Sequence, residues 1–280
     1  MKLSAITDEI SQDFGHALDV MREYGLAHAE LRGLWNTNIA DLDAAQTARA
    51  KDALAARDMQ VCCLSTPVYK CDLDSDAGSV RGRMHLAQAR GLGEQMEVLR
   101  RCCGLAHAFG TDLIRVFTFW RKGPLTPAIE ERIVDAFAEP ARIAEQEGVT
   151  LVLENEHACF VGTGAEAARI LSAIDNPRVR ACWDPGNAFV AGETPYPARF
   201  EEIRPFLAHV HVKDARREGD GYAWTVVGQG EIDYSGQFRA LADMNYAGCI
   251  SLETHYIPQG GTPEEGSRAC LAALVRMLAE

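Results

Sequence analysis

Strand-like and helix-like segments alternate along all 280 residues, about one pair every 35 residues, and this alternation limits the possible folds more than any single motif. Short apolar runs are expected as strands over 3–7, 27–34, 60–68, 111–120, 150–154, 179–184, 207–214 and 248–254. Between them lie helical patterns with readable ends. Ala17, Val20, Met21 and Tyr24 share a face before Gly25 stops the first helix, and an alanine-rich stretch over 44–57 forms the second. A third helix is expected over 84–109, with Gly91 and Gly93 as weak points, after a long polar loop over 69–80 that is a candidate lid. Thr126-Pro127 caps a helix reaching about residue 148, which Pro140 is expected to kink. Thr163 with Glu166, and Thr262 with Glu265, have capping-box spacing; further helices are expected over 197–206 and 232–246. Eight strand-then-helix units predict an α/β fold, a (β/α)8 TIM barrel, as a single domain over residues 1–280. The Gly-x-Gly-x-x-Gly signature of a doubly wound nucleotide-binding sheet does not follow the first strand.

If the sheet closes into a barrel, the last inward-pointing residue of each strand faces the mouth where barrel enzymes do their chemistry. In Leu207-Ala208-His209-Val210-His211-Val212-Lys213-Asp214, strict alternation puts His209, His211 and Lys213 on one face and the small apolar residues on the other. The same period leaves Glu154 inward at the end of Thr150-Leu151-Val152-Leu153-Glu154 and Glu253 inward at the end of the last strand, and the sixth strand ends on Asp184. Three carboxylates in one mouth repel one another and raise each other's pKa, a conflict that a divalent cation resolves. Glu154, Asp184, His211 and Glu253 are therefore the expected metal ligands, and an oxygen-rich set with one nitrogen suits one Mn²⁺, Mg²⁺, Co²⁺ or Zn²⁺ ion. His209 should sit about 6–7 Å deeper in the lumen, as a supporting group.

The formal net charge of −12 argues against a nucleic-acid backbone or an anionic membrane as the main partner and favours a small neutral substrate. No apolar run approaches the roughly 20 residues of a membrane span, and the first residues lack a signal-peptide core. Nine cysteines, including the adjacent pairs Cys62-Cys63 and Cys102-Cys103, make a poor disulfide framework and are expected as reduced thiols in a cytoplasmic protein. Self-association into a homo-oligomer is left open.

The segments Leu153-Glu154-Asn155-Glu156-His157, Trp183-Asp184-Pro185-Gly186-Asn187, His209 to Asp214, Gly228-Gln229-Gly230-Glu231-Ile232-Asp233 and Ser251-Leu252-Glu253-Thr254 resemble the signature segments of the xylose isomerase-like sugar phosphate isomerase/epimerase superfamily. The opening Ile6-Thr7-Asp8-Glu9-Ile10-Ser11 and Glu30-Leu31-Arg32 are similar to it as well. The resemblance implies one divalent metal at the four positions above. It also implies that Glu154 and Glu253 form an acid/base pair moving the proton of a small sugar or polyol carbonyl compound through an enediolate. One departure matters: many ketose epimerases and the related endonucleases carry histidine three residues after the metal aspartate, where this chain has Asn187. That argues against the trinuclear-zinc endonuclease branch. Inosose and dehydroshikimate dehydratases share the scaffold, so isomerisation or epimerisation is the leading expectation and water elimination the alternative; a non-catalytic ligand-binding barrel is a third.

Glu156, His157, Asn187, Lys213 and Arg217 are the candidate substrate-contacting residues, the last two as groups that orient a carbonyl or carboxylate oxygen. Trp35, Phe117, Phe119, Trp120 and Trp183 are expected in the core, and His16, His28, His85 and His107 in ordinary structural roles.

Overall fold

A computed structural model describes residues 1–279. Eight parallel strands form the barrel: β1 (Lys2–Ala5), β2 (His28–Leu31), β3 (Gln60–Ser65), β4 (Leu113–Val116), β5 (Thr150–Glu154), β6 (Val179–Trp183), β7 (Leu207–Val212) and β8 (Cys249–Leu252). Each strand pairs in parallel with the next from β2 to β8, and β8 pairs back onto β1. The remaining seam, between β1 and β2, is held by a single parallel bridge from Ile6 to Glu30. The protein is thus a nearly closed TIM barrel forming one domain.

Side-chain alternation sorts each strand between two environments. Leu151, Leu153, Val210, Val212, Ile250 and Leu252 face outward into the main apolar core against the helices. Inside the barrel, Val152 meets Cys63 and Cys182 from β3 and β6 in a separate small cluster. Above that layer the lumen turns polar, with Glu30, His209, His211, Glu154 and Glu253 all buried.

Several elements differ from the sequence reading. The helix expected to run from 126 to 148 is two helices, Pro127–Ala136 and Ala138–Glu147, meeting at Phe137. Pro140 cannot donate to the carbonyl of Ala136, and its ring crowds that oxygen. The freed carbonyl accepts from the Tyr69 hydroxyl at 2.5 Å instead. The helix expected from residue 84 starts only at Gln95, after a 3-10 turn over Leu92–Glu94. Gly91 lies against the backbone of Asp76, where a Cβ would come within 1.8 Å of a carbonyl oxygen, so the chain crosses itself where a helix was expected.

The candidate lid is also displaced. Residues 69–73 are buried and paired with the segment after β4: Phe119 N donates to Tyr69 O at 3.0 Å and Trp120 N to Cys71 O at 2.8 Å. The loosely packed stretch begins at residue 74 and runs to residue 90, and within it the His85 ring stacks on His255, centroids 6.4 Å apart. The strand over 207–214 ends at Val212, and an antiparallel hairpin (Asp214–Glu218 with Gly221–Thr225) that sequence reading missed rises from its end. A short helix, Pro185–Val190, follows β6 with Asp184 as its N-cap. All nine cysteines are free thiols, and no helix of the described residues is long and apolar enough to cross a membrane.

Candidate metal centre

Glu154, Asp184, His211 and Glu253, from the ends of β5, β6, β7 and β8, each place one ligand-type atom within 4.8 Å of the others, and all four side chains are buried. Each is turned by a partner on its far side. Glu154 Oε2 accepts from Arg115 Nη1 at 2.7 Å, and Glu253 Oε1 from Arg32 Nη1 at 2.8 Å. Asp184 Oδ1 caps the short helix by accepting from Asn187 N at 2.8 Å, and His211 Nε2 meets Glu30 Oε1 at 3.0 Å. The other atoms, Glu154 Oε1, Asp184 Oδ2, Glu253 Oε2 and His211 Nδ1, converge, with Nδ1 3.3, 3.8 and 3.8 Å from the three oxygens.

This arrangement fits a divalent cation. The Glu30 carboxylate behind His211 is the outer partner a metal-bound imidazole uses to fix its tautomer, leaving Nδ1 free to ligate. Glu30 is itself held by Ser65 Oγ at 2.5 Å and by His209 Nε2 at 2.8 Å, which places His209 in a supporting role beneath the centre. Asp184 Oδ2 is buried without a hydrogen bond; Lys213 Nζ lies 2.8 Å away as an ion pair lacking hydrogen-bond alignment. Burial, with Glu154 and Glu253 close by, pushes the Asp184 carboxyl up to about 6 despite that ammonium. Asp184 is thus short of positive charge, which a divalent ion supplies.

The candidate substrate contacts divide into two groups. Asn187 Nδ2 donates to Glu154 Oε1 at 3.1 Å, so its Oδ1 is turned to accept from His157 Nδ1 at 3.0 Å. Glu156 Oε1 is 2.9 Å from the same imidazole nitrogen, and Lys70 Nζ is 3.5 Å from Glu156 Oε2. His157 is about one-third exposed at the mouth. Burial opposes its positive charge, but Glu156 outweighs burial and raises its pKa above the usual 6.5. Lys213 lies at the centre itself, also in contact with Glu253 Oε2. Arg217 stands apart on the exposed hairpin, its guanidinium 5.0 Å over the Phe189 ring and its backbone N–H on Glu231.

Sequence reasoning missed the residues that orient the ligands. Glu30 and Arg32 were visible only as parts of a motif, and Arg115 and Lys70 were not assigned any role. The mouth is walled by residues also left out: Trp224 from the hairpin packs edge-on against His255 at 4.9 Å and against Tyr222 at 5.1 Å, and Tyr222 meets His157 at 6.5 Å. The glycine-rich segment after the hairpin has a structural role, because Asp214 Oδ2 accepts from the N–H groups of Gly228 and Gly230 at 2.8 and 2.9 Å. Gly186 is likewise dictated by packing: a Cβ there would meet the Lys213 carbonyl at 2.7 Å. Gly186→Ala is therefore expected to destabilise the protein by about 1–3 kcal/mol and to weaken metal uptake by displacing Asp184, whose Oδ1 would lie 3.2 Å from the added Cβ, measurable by thermal melting and elemental analysis.

A nearly closed eight-stranded barrel with a carboxylate and imidazole cluster at the strand ends describes a class of metal-assisted enzymes. The chain belongs to the xylose isomerase-like TIM barrel family, whose sequence pattern matches residues 18–276. The inosose dehydratase of Klebsiella pneumoniae subsp. pneumoniae is 30% identical over 152 residues, 48% of this chain and 50% of that one, so the chain spans about half the length of the curated relatives it matches. Among solved structures, the probable 3-DHS dehydratase AsbF of Bacillus anthracis superposes with a TM-score of 0.76 at 17% identity, covering 100% of this chain and 99% of that one. An IOLI protein with a bound zinc atom gives 0.75 at 18% identity, covering 100% and 98%. These two likenesses establish the fold.

Proposed function

We propose that this protein is a divalent-metal-dependent dehydratase of a small polyhydroxylated ketone of the inosose type. The observation that carries the reading is the convergence of Glu154 Oε1, Asp184 Oδ2, Glu253 Oε2 and His211 Nδ1, each oriented from behind by its own partner. When bound there, a divalent ion supplies the Lewis acidity that acidifies a C–H beside a chelated carbonyl. Glu154 and Glu253 flank the centre from β5 and β8 and are the candidate proton acceptors. His157 is the candidate proton donor to the departing hydroxyl, because its Nδ1–H is committed to Asn187 and Glu156, leaving Nε2 as its second titratable nitrogen.

Elimination is favoured over epimerisation by a proton donor separate from the two glutamates. An epimerase returns a proton to carbon, whereas a dehydratase protonates a departing hydroxyl, a step that calls for an acid of its own. His157, one-third exposed at the mouth with a raised pKa, is such an acid, while Arg115 and Arg32 hold the outer oxygens of Glu154 and Glu253. The 30% identity to an inosose dehydratase over half the chain supports the same choice. Epimerisation is the second reading, favoured by the placement of the two glutamates on separate strands at the rim.

Incubating the metal-loaded enzyme with a panel of inososes and open-chain ketoses in deuterated water, read by mass spectrometry, separates the two. Loss of one water from a cyclic substrate is the expected result; incorporation of one deuterium at unchanged formula would replace dehydration with epimerisation. His157→Gln is expected to lower kcat by about 10²–10³ with metal content and melting temperature unchanged. In the unaltered enzyme, kcat should fall as pH rises through the raised His157 pKa, and the variant should lack that limb. Wild-type kcat in His157→Gln would remove the imidazole from the mechanism.

A further inference from the structure

Lys213 is the first residue after β7, two positions beyond His211, and is buried to the same degree as the ligand set. Its backbone is clamped: Lys213 N donates to the Tyr234 hydroxyl oxygen at 3.1 Å, the Tyr234 hydroxyl donates to Lys213 O at 2.8 Å, and Gly186 packs directly against that carbonyl. The side chain extends from this fixed backbone into the ligand cluster. Its ammonium reaches two of the four converging atoms, Asp184 Oδ2 at 2.8 Å and Glu253 Oε2. The outer oxygens of Glu154 and Glu253 belong to Arg115 and Arg32, so those two guanidiniums do not compete for the inward positions. A divalent cation bound by the same atoms therefore meets the Lys213 ammonium.

We propose that Lys213 is a built-in stand-in for the metal: it neutralises Asp184 and Glu253 while the centre is metal-free, and it is displaced when a divalent cation enters. The inference rests on the metal reading above. The structure also supplies the ammonium's next position, since Nζ already lies 5.7 Å over the Trp224 indole, within cation–π range, at the mouth where substrate oxygens arrive. Three buried carboxylates lacking both metal and lysine would repel one another, so the lysine keeps the apo-protein folded at the expense of metal affinity. Mass action then ties the two properties together: what binds only one of two states shifts the balance between them.

The test uses Mn²⁺ as the probe, with calorimetric titration and thermal melting of wild type and Lys213→Met after chelator treatment. The variant is expected to bind Mn²⁺ at least about tenfold more tightly, to melt lower than wild type when metal-free, and to match wild type when loaded. Equal or weaker Mn²⁺ binding by a folded Lys213→Met overturns the proposal while leaving the metal centre intact. Wild type that binds no Mn²⁺, Mg²⁺, Co²⁺ or Zn²⁺ overturns the metal reading and this inference together. A measurement on wild type covers the case in which the variant does not fold: acylation of lysines followed by mass spectrometry should show Lys213 modified several-fold faster with Mn²⁺ than without. Unchanged or slower modification counts against displacement.

Discussion

Glu154→Gln is expected to lose most of its bound metal and at least about a thousandfold in turnover while remaining folded. The amide keeps the shape of the carboxylate and can still accept from Arg115 through its oxygen, so packing around the end of β5 survives. Two things are lost: one anionic ligand and one of the two candidate proton acceptors. The buried Arg115 guanidinium also loses its ion-pair partner, at a cost of about 1–3 kcal/mol. Elemental analysis, circular dichroism melting and turnover on the same samples check the result. Full activity in metal-free wild type, or a metal-replete and active Glu154→Gln, would break the central claim. His211→Ala should behave similarly for metal content but destabilise more, because Glu30 would lose one of its two imidazole partners in a buried position.

Arg32→Met should produce the largest loss of stability. The guanidinium is about 2% exposed and serves three carboxylates: Asp8 Oδ2 at 3.0 Å, Glu9 Oε1 at 2.5 Å and Glu253 Oε1 at 2.8 Å. Methionine of similar length fills the space but leaves those charges facing one another, an uncompensated burial worth roughly 3–5 kcal/mol. A fall in Tm on the order of 10 °C follows for a domain of this size. The pH dependence has a definite sign. Burial, with Asp8 and Glu253 close by, already pushes the Glu9 carboxyl up to about 7 even with Arg32 present, against an ordinary value of 4.5. A carboxyl raised on folding binds more protons in the native state, so the folded protein gains stability as pH falls through that interval. Removing Arg32 raises the Glu9 carboxyl further, so the deficit relative to wild type should be larger at pH 8 than at pH 5. A deficit that is independent of pH would mean Arg32 contributes packing alone.

The four candidate ligands were legible because each holds an inward position at the C-terminal end of its strand or one residue past it, and period-two alternation together with the repeating strand–helix unit specifies that position locally. The same logic placed Leu151, Leu153, Val210, Val212, Ile250 and Leu252 outward and foresaw the fold. It did less well wherever backbone geometry depended on a distant neighbour. The helix expected from residue 84 is prevented by the crossing of Gly91 over Asp76, and the break at Phe137 is sealed by Tyr69, 67 residues from the carbonyl it satisfies. The hairpin that brings Trp224 to the mouth follows directly on β7, where a single continuous strand had been read.

The orienting partners could come only from the tertiary structure. Arg32 and Glu253 are 221 positions apart, Glu30 and His211 are 181, and Arg115 and Glu154 are 39. Lys213 was placed on the correct face by alternation, yet its contact with Asp184 and Glu253 depends on barrel closure and on the clamp from Tyr234. Alternation is a property of neighbouring backbone units, so one chain reveals which side of a strand a residue occupies. Which charge it meets across the lumen depends on how eight strands are staggered around a closed sheet, and no short-range pattern carries that information.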